Sequence, residues 1–234
     1  MPSTTERGRE RLDHTKVVKA AIGFADAEGL DALSMRALAA RLGVVPMALY
    51  KHVADKEDLI GAMIDAIVTG YPTPSEPDWR GRVRSRVLAA RSAWVVHPWL
   101  GGAIAASTRR TETVLAHMNA VAGDFIDGGV SADLTHYAMH ALGTRIWGFS
   151  TEAFDDPDAP SPQDADHPEI AAYLAARFPH VVAIAMDAAR RNPEASCDRQ
   201  AEFEFTLELL LDSFERLHEA GWVSRPDSAV SQQT

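Results

Sequence analysis

Residues 33–60 read LSMRALAARLGVVPMALYKHVADKEDLI. Ser34 is a good cap for a short helix over 35–41. Leu42-Gly43-Val44 makes a tight turn, and Gly43 supplies the conformational freedom that such a turn needs. A second short helix follows over 46–52, with Pro46 in the first turn, where its missing N–H costs nothing. Asp55 then caps a longer helix that ends near Gly70. Leu38, Ala39, Leu42, Val44, Leu49 and Val53 point inward on this pattern, whereas Arg36, Arg41, Tyr50, Lys51 and His52 can point outward. Ala39 and Ala40 are small enough for the two short helices to approach closely. Two short helices joined by a glycine turn form a helix-turn-helix, which lays its second helix in the DNA major groove.

Working outward, the chain reads as helical nearly throughout. A first helix over 11–28 carries an apolar stripe of Val17, Ala20, Ala21, Phe24 and Ala25 and stops at Gly29. After the proline-rich break 71–77, helices are expected over 79–96, 98–106 and 111–126. Asp127-Gly128-Gly129 is a turn, and Ser131 caps a long helix to about residue 154. The acidic, proline-rich stretch 155–168 reads as a surface loop. Further helix covers 169–191, broken at Asn192-Pro193, and Asp198 caps a final helix over 198–220. No apolar/polar alternation argues for a sheet. The expected class is therefore all-α, in two domains: an N-terminal three-helix helix-turn-helix domain, residues 1–70, and a larger helical effector and dimerisation domain, residues 71–221. Residues 222–234 read as a disordered tail, from which Trp222 alone could tuck back.

Charge supports this division. The 234 residues carry a net charge of -10. Residues 1–52 hold 8 Lys/Arg against 6 Asp/Glu, and all four lysines fall in the first quarter. A polyanion can meet the front of the chain without meeting the acidic rear. Arg7, Arg9 and Arg11 precede the first helix, either as an arm for a polyanion or as a solvated terminus. One cysteine, Cys197, rules out an intramolecular disulfide and a thiolate zinc cluster. No apolar run approaches the roughly 18–20 residues of a membrane span, and a cytoplasmic location is expected. No enzyme motif is found. His136 and His140 lie four apart, but no Glu follows His136 as HExxH requires. Gly148-Phe-Ser150 lacks the strand and second glycine of a nucleophile elbow. No cofactor and no metal site is expected.

The segment around residues 13–65 resembles the DNA-binding domain of TetR-family transcriptional repressors. The resemblance rests on Leu-Ser-Met-Arg-x-Leu-Ala, Leu-Gly-Val, Ala-Leu-Tyr-Lys-His-Val and Asp-Lys-Glu-x-Leu. It implies that Tyr50 and Lys51 contact phosphates or flanking bases, and that Lys56 clamps the backbone beside a positive helix end. It also implies that Ser34 meets a phosphate, Arg36 a base edge or phosphate, and His52 a phosphate. Val45, Pro46, Met47 and Ala48 would form the leading edge of the reading helix, with Pro46 where the tetracycline repressor carries a polar base-reading side chain. Thymine-methyl contacts, Arg36 and DNA shape would then carry more of the discrimination.

The rear resembles the tetracycline-repressor-like effector domain, through Thr108-Arg109-x-Thr111-Glu112, the Asp127-Gly-Gly turn and the long helix after it. That implies a small-molecule pocket, for which Arg86, Trp94, Trp99, Arg109, Met118, His140, Arg145, Trp147 and Phe149 are candidates. It also implies a homodimer on a palindromic operator, paired through the last two long helices, with Phe203, Leu207, Leu210 and Phe214 at the interface. The metal-binding histidine of the tetracycline repressor falls on Ala105 or Ile104, neither of which can hold magnesium; Glu152 alone resembles a supporting acid. The effector is therefore unidentified, with an uncharged or anionic aromatic molecule near Arg86, Arg109 or Arg145 as the expectation. The reading as a whole is a homodimeric repressor released by that molecule. The alternative is a helical ligand-binding or protein-interaction module without an operator.

Overall fold

The computed structural model describes residues 11–107, 111–147, 168–191 and 199–224. Among the described residues eleven helices follow one another: α1 (His14–Glu28), α2 (Met35–Leu42), α3 (Pro46–Leu49), α4 (Lys56–Thr69), α5 (Trp79–Val96), α6 (Leu100–Ala106), α7 (Glu112–Asp127), α8 (Ala132–Trp147), α9 (Pro168–Arg177), α10 (Pro179–Arg191) and α11 (Arg199–Glu219). The protein is all-α, and no strand occurs among the described residues. They fall into two compact units, residues 1–147 with 220–234, and residues 148–219.

Short polar side chains set where the helices start. Ser34 Oγ accepts from the Ala37 N–H at 3.1 Å, Asp55 from Asp58 at 2.9 Å and Ser131 from Leu134 at 3.2 Å, as their sequence positions predict. Asp13 accepts from the Lys16 N–H at 2.8 Å, so α1 begins at His14 rather than at the expected residue 11. α3 is a single turn, shorter than the expected 46–52. The Leu49 carbonyl accepts from both His52 (2.8 Å) and Val53 (3.1 Å), so residues 50–52 close as a turn rather than extend the helix.

One core holds α1–α4 together, with Val17, Ala21, Leu38, Leu49, Leu59 and Met63 fully enclosed. Trp99, Leu100, Ala103 and Ile104 of the α6 region belong to the same core. The expected boundary at residue 70 is thus a boundary in chain order, across which packing continues. Arg41, which can point outward on the sequence pattern, pairs with Glu28 at 3.1 Å and lies over the Phe24 ring at 5.4 Å, linking α2 to α1.

Beyond that core, the start of α5 lies on the end of α7. The Trp79 and Phe125 rings are 5.2 Å apart. Gly128 is where a Cβ would overlap the Trp79 side chain, which gives the Asp-Gly-Gly turn a packing reason. Trp222 tucks back, packing edge-on against Tyr137, and the Ser224 N–H donates to Asp133 at 2.6 Å, so the start of the expected tail is held. The loop 155–168, the break at Asn192-Pro193, the Asp198 cap, Cys197, Arg7 and Arg9 lie outside the described residues. Among the described residues, no helix is long and apolar enough to cross a membrane.

Candidate functional site

The turn between α2 and α3 creates the exposed tip. Gly43 ends α2 at φ 66°, a left-handed conformation that a side chain would strain. Its N–H donates to the Ala40 carbonyl at 3.1 Å, and Val44 donates to Ala39 at 3.0 Å. The chain then turns into α3 through Val45, with Pro46 in the first helical turn. Leu49 of α3 and Ala39 of α2 are both buried in the same core, so α3 is held by its inner face. Its outer face is open: Val45 is 67% exposed, Met47 72% and Tyr50 47%. Pro46 and Lys51 are exposed, whereas Ala48 and His52 are half-buried.

Polar and charged groups are available around that tip. Arg36 is exposed on the first turn of α2. Ser34 uses its oxygen to cap α2, which leaves its hydroxyl hydrogen able to donate to a phosphate. Lys56 opens α4 and is exposed. The α4 N-terminus is not an open anion site, however. Asp55 caps the Asp58 N–H, and Asp58 reaches back to the Ala54 N–H at 2.8 Å. A rigid core presenting a one-turn helix, with cations at its sides, fits a DNA groove in shape and charge.

Comparison with known proteins agrees with this geometry. Residues 17–63 match the family described as "Bacterial regulatory proteins, tetR family", and residues 71–217 match "Tetracyclin repressor-like, C-terminal domain". The chain belongs to the TetR family. This TetR-family protein is a helix-turn-helix DNA-binding transcriptional regulator. It is 28% identical over 215 residues to the tetracycline repressor protein class G of Vibrio anguillarum, covering 90% of this chain and 97% of that one. It is 30% identical over 168 residues to an HTH-type transcriptional regulator of Saccharopolyspora erythraea, covering 62% of this chain and 70% of the relative. Among solved structures, it resembles Streptomyces coelicolor ActR in complex with (S)-DNPA at 26% identity and TM-score 0.64, covering 89% of this chain and 99% of that one.

In the effector part of this TetR-family regulator, the expected pocket residues that are described sit as follows. Trp99 is buried with the core of α1–α4, and its indole N–H donates to Asp26 at 2.7 Å. Met118 and His140 are exposed, the latter stacked edge-on with His136 at 4.6 Å. Trp94 carries the Arg91 guanidinium at 4.5 Å. Arg86 is committed to the buried Asp124 carboxylate at 2.6 Å, which it shares with Arg82 at 3.0 Å. Arg109, Phe149 and Glu152 lie outside the described residues. Arg145 and Trp147 fall on the last turn of α8, where only the helix is described. Ile104 fills the core and Ala105 is exposed.

Several residues that the sequence did not single out link the DNA-binding helices to the rest. Asp26 of α1 accepts from Trp99 and lies 2.7 Å from His97 Nδ1, tying α1 to the α5–α6 connection. Thr111, the cap of α7, donates to Asp65 of α4 at 2.5 Å. An open cleft of about 1070 Å³ lies beside that bond, lined by His14 and Lys19 of α1, Asp58 and Asp65 of α4, and Glu112. Farther along, the Tyr71 hydroxyl is buried without a hydrogen-bond partner, and the ring packs edge-on against His117 at 5.1 Å. Burial pushes the Tyr71 pKa up to about 12. Burial, then the nearby Arg86 charge, lowers that of His117. Asp26 lies off the apolar stripe of α1 and is exposed, so the spacing of apolar residues gave no signal for it.

The expected dimer residues lie on α11, where Phe203, Leu207 and Phe214 are buried together with Leu211. Of the four expected residues only Leu210 is partly open, while Phe205 and Leu209 are the apolar residues that α11 exposes.

Proposed function

We propose that this TetR-family regulator is a homodimeric repressor that binds a palindromic operator and is released by a small molecule. Each copy sets α3 in a major groove, with half-sites about 34–36 Å apart or a multiple of that. Ser34, Tyr50, Lys51, His52 and Lys56 engage phosphates, and Arg36 with residues 45–48 faces the base edges. Residues 1–70 serve as the DNA-binding domain, and residues 71–221 bind the effector and pair the two copies. The exposed tip of α3, held on an enclosed core, is the observation that carries this reading.

Release follows from the packing of α6. Because α6 is part of the core of α1–α4, a ligand that displaces α6 or α7 also displaces α1 and α4, through Asp26 and Asp65. Ligand affinity that differs between the two positions then becomes loss of DNA affinity. The ActR structure with (S)-DNPA supports a small organic effector. The salt dependence of binding tests the DNA contacts. Each lysine that neutralises one phosphate contributes about 0.9 to the slope of log affinity against log salt, so Lys51→Ala or Lys56→Ala should flatten it by about 1.8 in a dimer. Unchanged slopes in both variants would reject this docking.

A further inference from the structure

We infer that the tip of α3 reads pyrimidine 5-methyl groups by apolar contact, with Met47 as the residue that distinguishes thymine from bases lacking the methyl. This rests on the DNA-binding reading above. Positions 45–48 are Val, Pro, Met and Ala, so no side chain there donates or accepts a hydrogen bond. Val45 caps α3 without a side-chain bond, Pro46 has no N–H, and the Ala48 N–H is used by the Val45 carbonyl at 2.9 Å.

A base edge pressed against these side chains loses water without recovering hydrogen bonds from them, which disfavours polar edges. The C5-methyl of thymine is the apolar group on the major-groove edge of a base pair. Val45 and Met47 expose large apolar side chains at the tip of α3, which the α1–α4 core carries. Arg36, Lys51 and Lys56 beside them supply charge complementary to a phosphate backbone, which makes duplex DNA the occupant of this surface. Met47 is unbranched and adapts its shape to the groove floor.

The test uses the full-length protein and the DNA segment that it retains from genomic fragments. Thymines are replaced one at a time by deoxyuridine, which removes only the methyl. Uracil beneath Met47 should weaken binding about fourfold for each methyl buried, or about 15-fold when both half-sites are changed. Thymine outside the footprint should be replaceable without effect. Met47→Ala should bind the thymine and uracil forms alike, and Lys51→Ala should weaken both equally. Because Met47 is exposed, its removal leaves the core intact, which a melting curve checks. Equal binding of both forms by the unmodified protein would overturn the inference and leave the DNA reading standing. Discrimination that persists in Met47→Ala would overturn the assignment to Met47. Failure to retain any DNA segment would overturn the DNA reading itself.

Discussion

Replacing Asp26 by alanine should cost the protein about 2 kcal/mol, because it strands a buried indole N–H. Asp26 Oδ1 is 2.7 Å from both Trp99 Nε1 and His97 Nδ1. Trp99 is only 9% exposed, so water does not readily replace the lost acceptor. Leaving a buried donor unmet costs about 1–3 kcal/mol. His97 and Asp26 are partly open to solvent, and the loss of their contact adds little. For a chain of this size the expected fall in Tm is about 4–8 °C. Denaturant unfolding of wild type, Asp26→Ala, Trp99→Phe and the double variant separates this bond from general packing. Once Trp99→Phe has removed the N–H, Asp26→Ala should cost about 1–2 kcal/mol less. An Asp26→Ala protein within about 0.5 kcal/mol of wild type would refute the reasoning, since that is the size of an ordinary surface substitution. So would an equal cost in both backgrounds.

Tyr71→Phe should leave the protein as stable or raise its stability by about 1 kcal/mol, because it removes a buried hydroxyl that has no partner; a clear loss in denaturant unfolding would show that the hydroxyl is satisfied. Acidification should destabilise the protein partly through His117. Its folded pKa lies below the ordinary 6.5, so as pH falls below that value the unfolded chain takes up a proton that the folded chain refuses. Between pH 7.5 and 5.5 the Tm of wild type should therefore drop further than that of His117→Leu; parallel curves would contradict this.

The helices were legible because each mark is local. Ser34, Asp55 and Ser131 cap where their sequence positions indicate, and Gly43 turns where only glycine is unstrained. The outward position of Lys51 followed from the apolar pattern, and that of Val45 and Met47 from the family resemblance. The pocket and dimer residues were less legible because they depend on contacts distant in sequence. Trp99 meets Asp26 across 73 residues, and nothing near residue 99 marks its partner. In α11 apolar side chains occupy more than one stripe, and spacing alone does not say which stripe the chain itself covers. Phe203 and Leu207 turned out covered, and Phe205 and Leu209 open. The length of α3 was missed for a subtler reason: Tyr50, Lys51 and His52 suit a helix, and the doubly used Leu49 carbonyl decides against it.

The most direct measurement mixes purified protein with sheared genomic DNA of the source organism at near-physiological salt and sequences what is retained. A homodimeric repressor enriches a palindrome with half-sites about one or more helical turns apart, and retention falls steeply as salt rises. A folded, dimeric, ligand-free preparation that enriches no sequence would contradict operator binding.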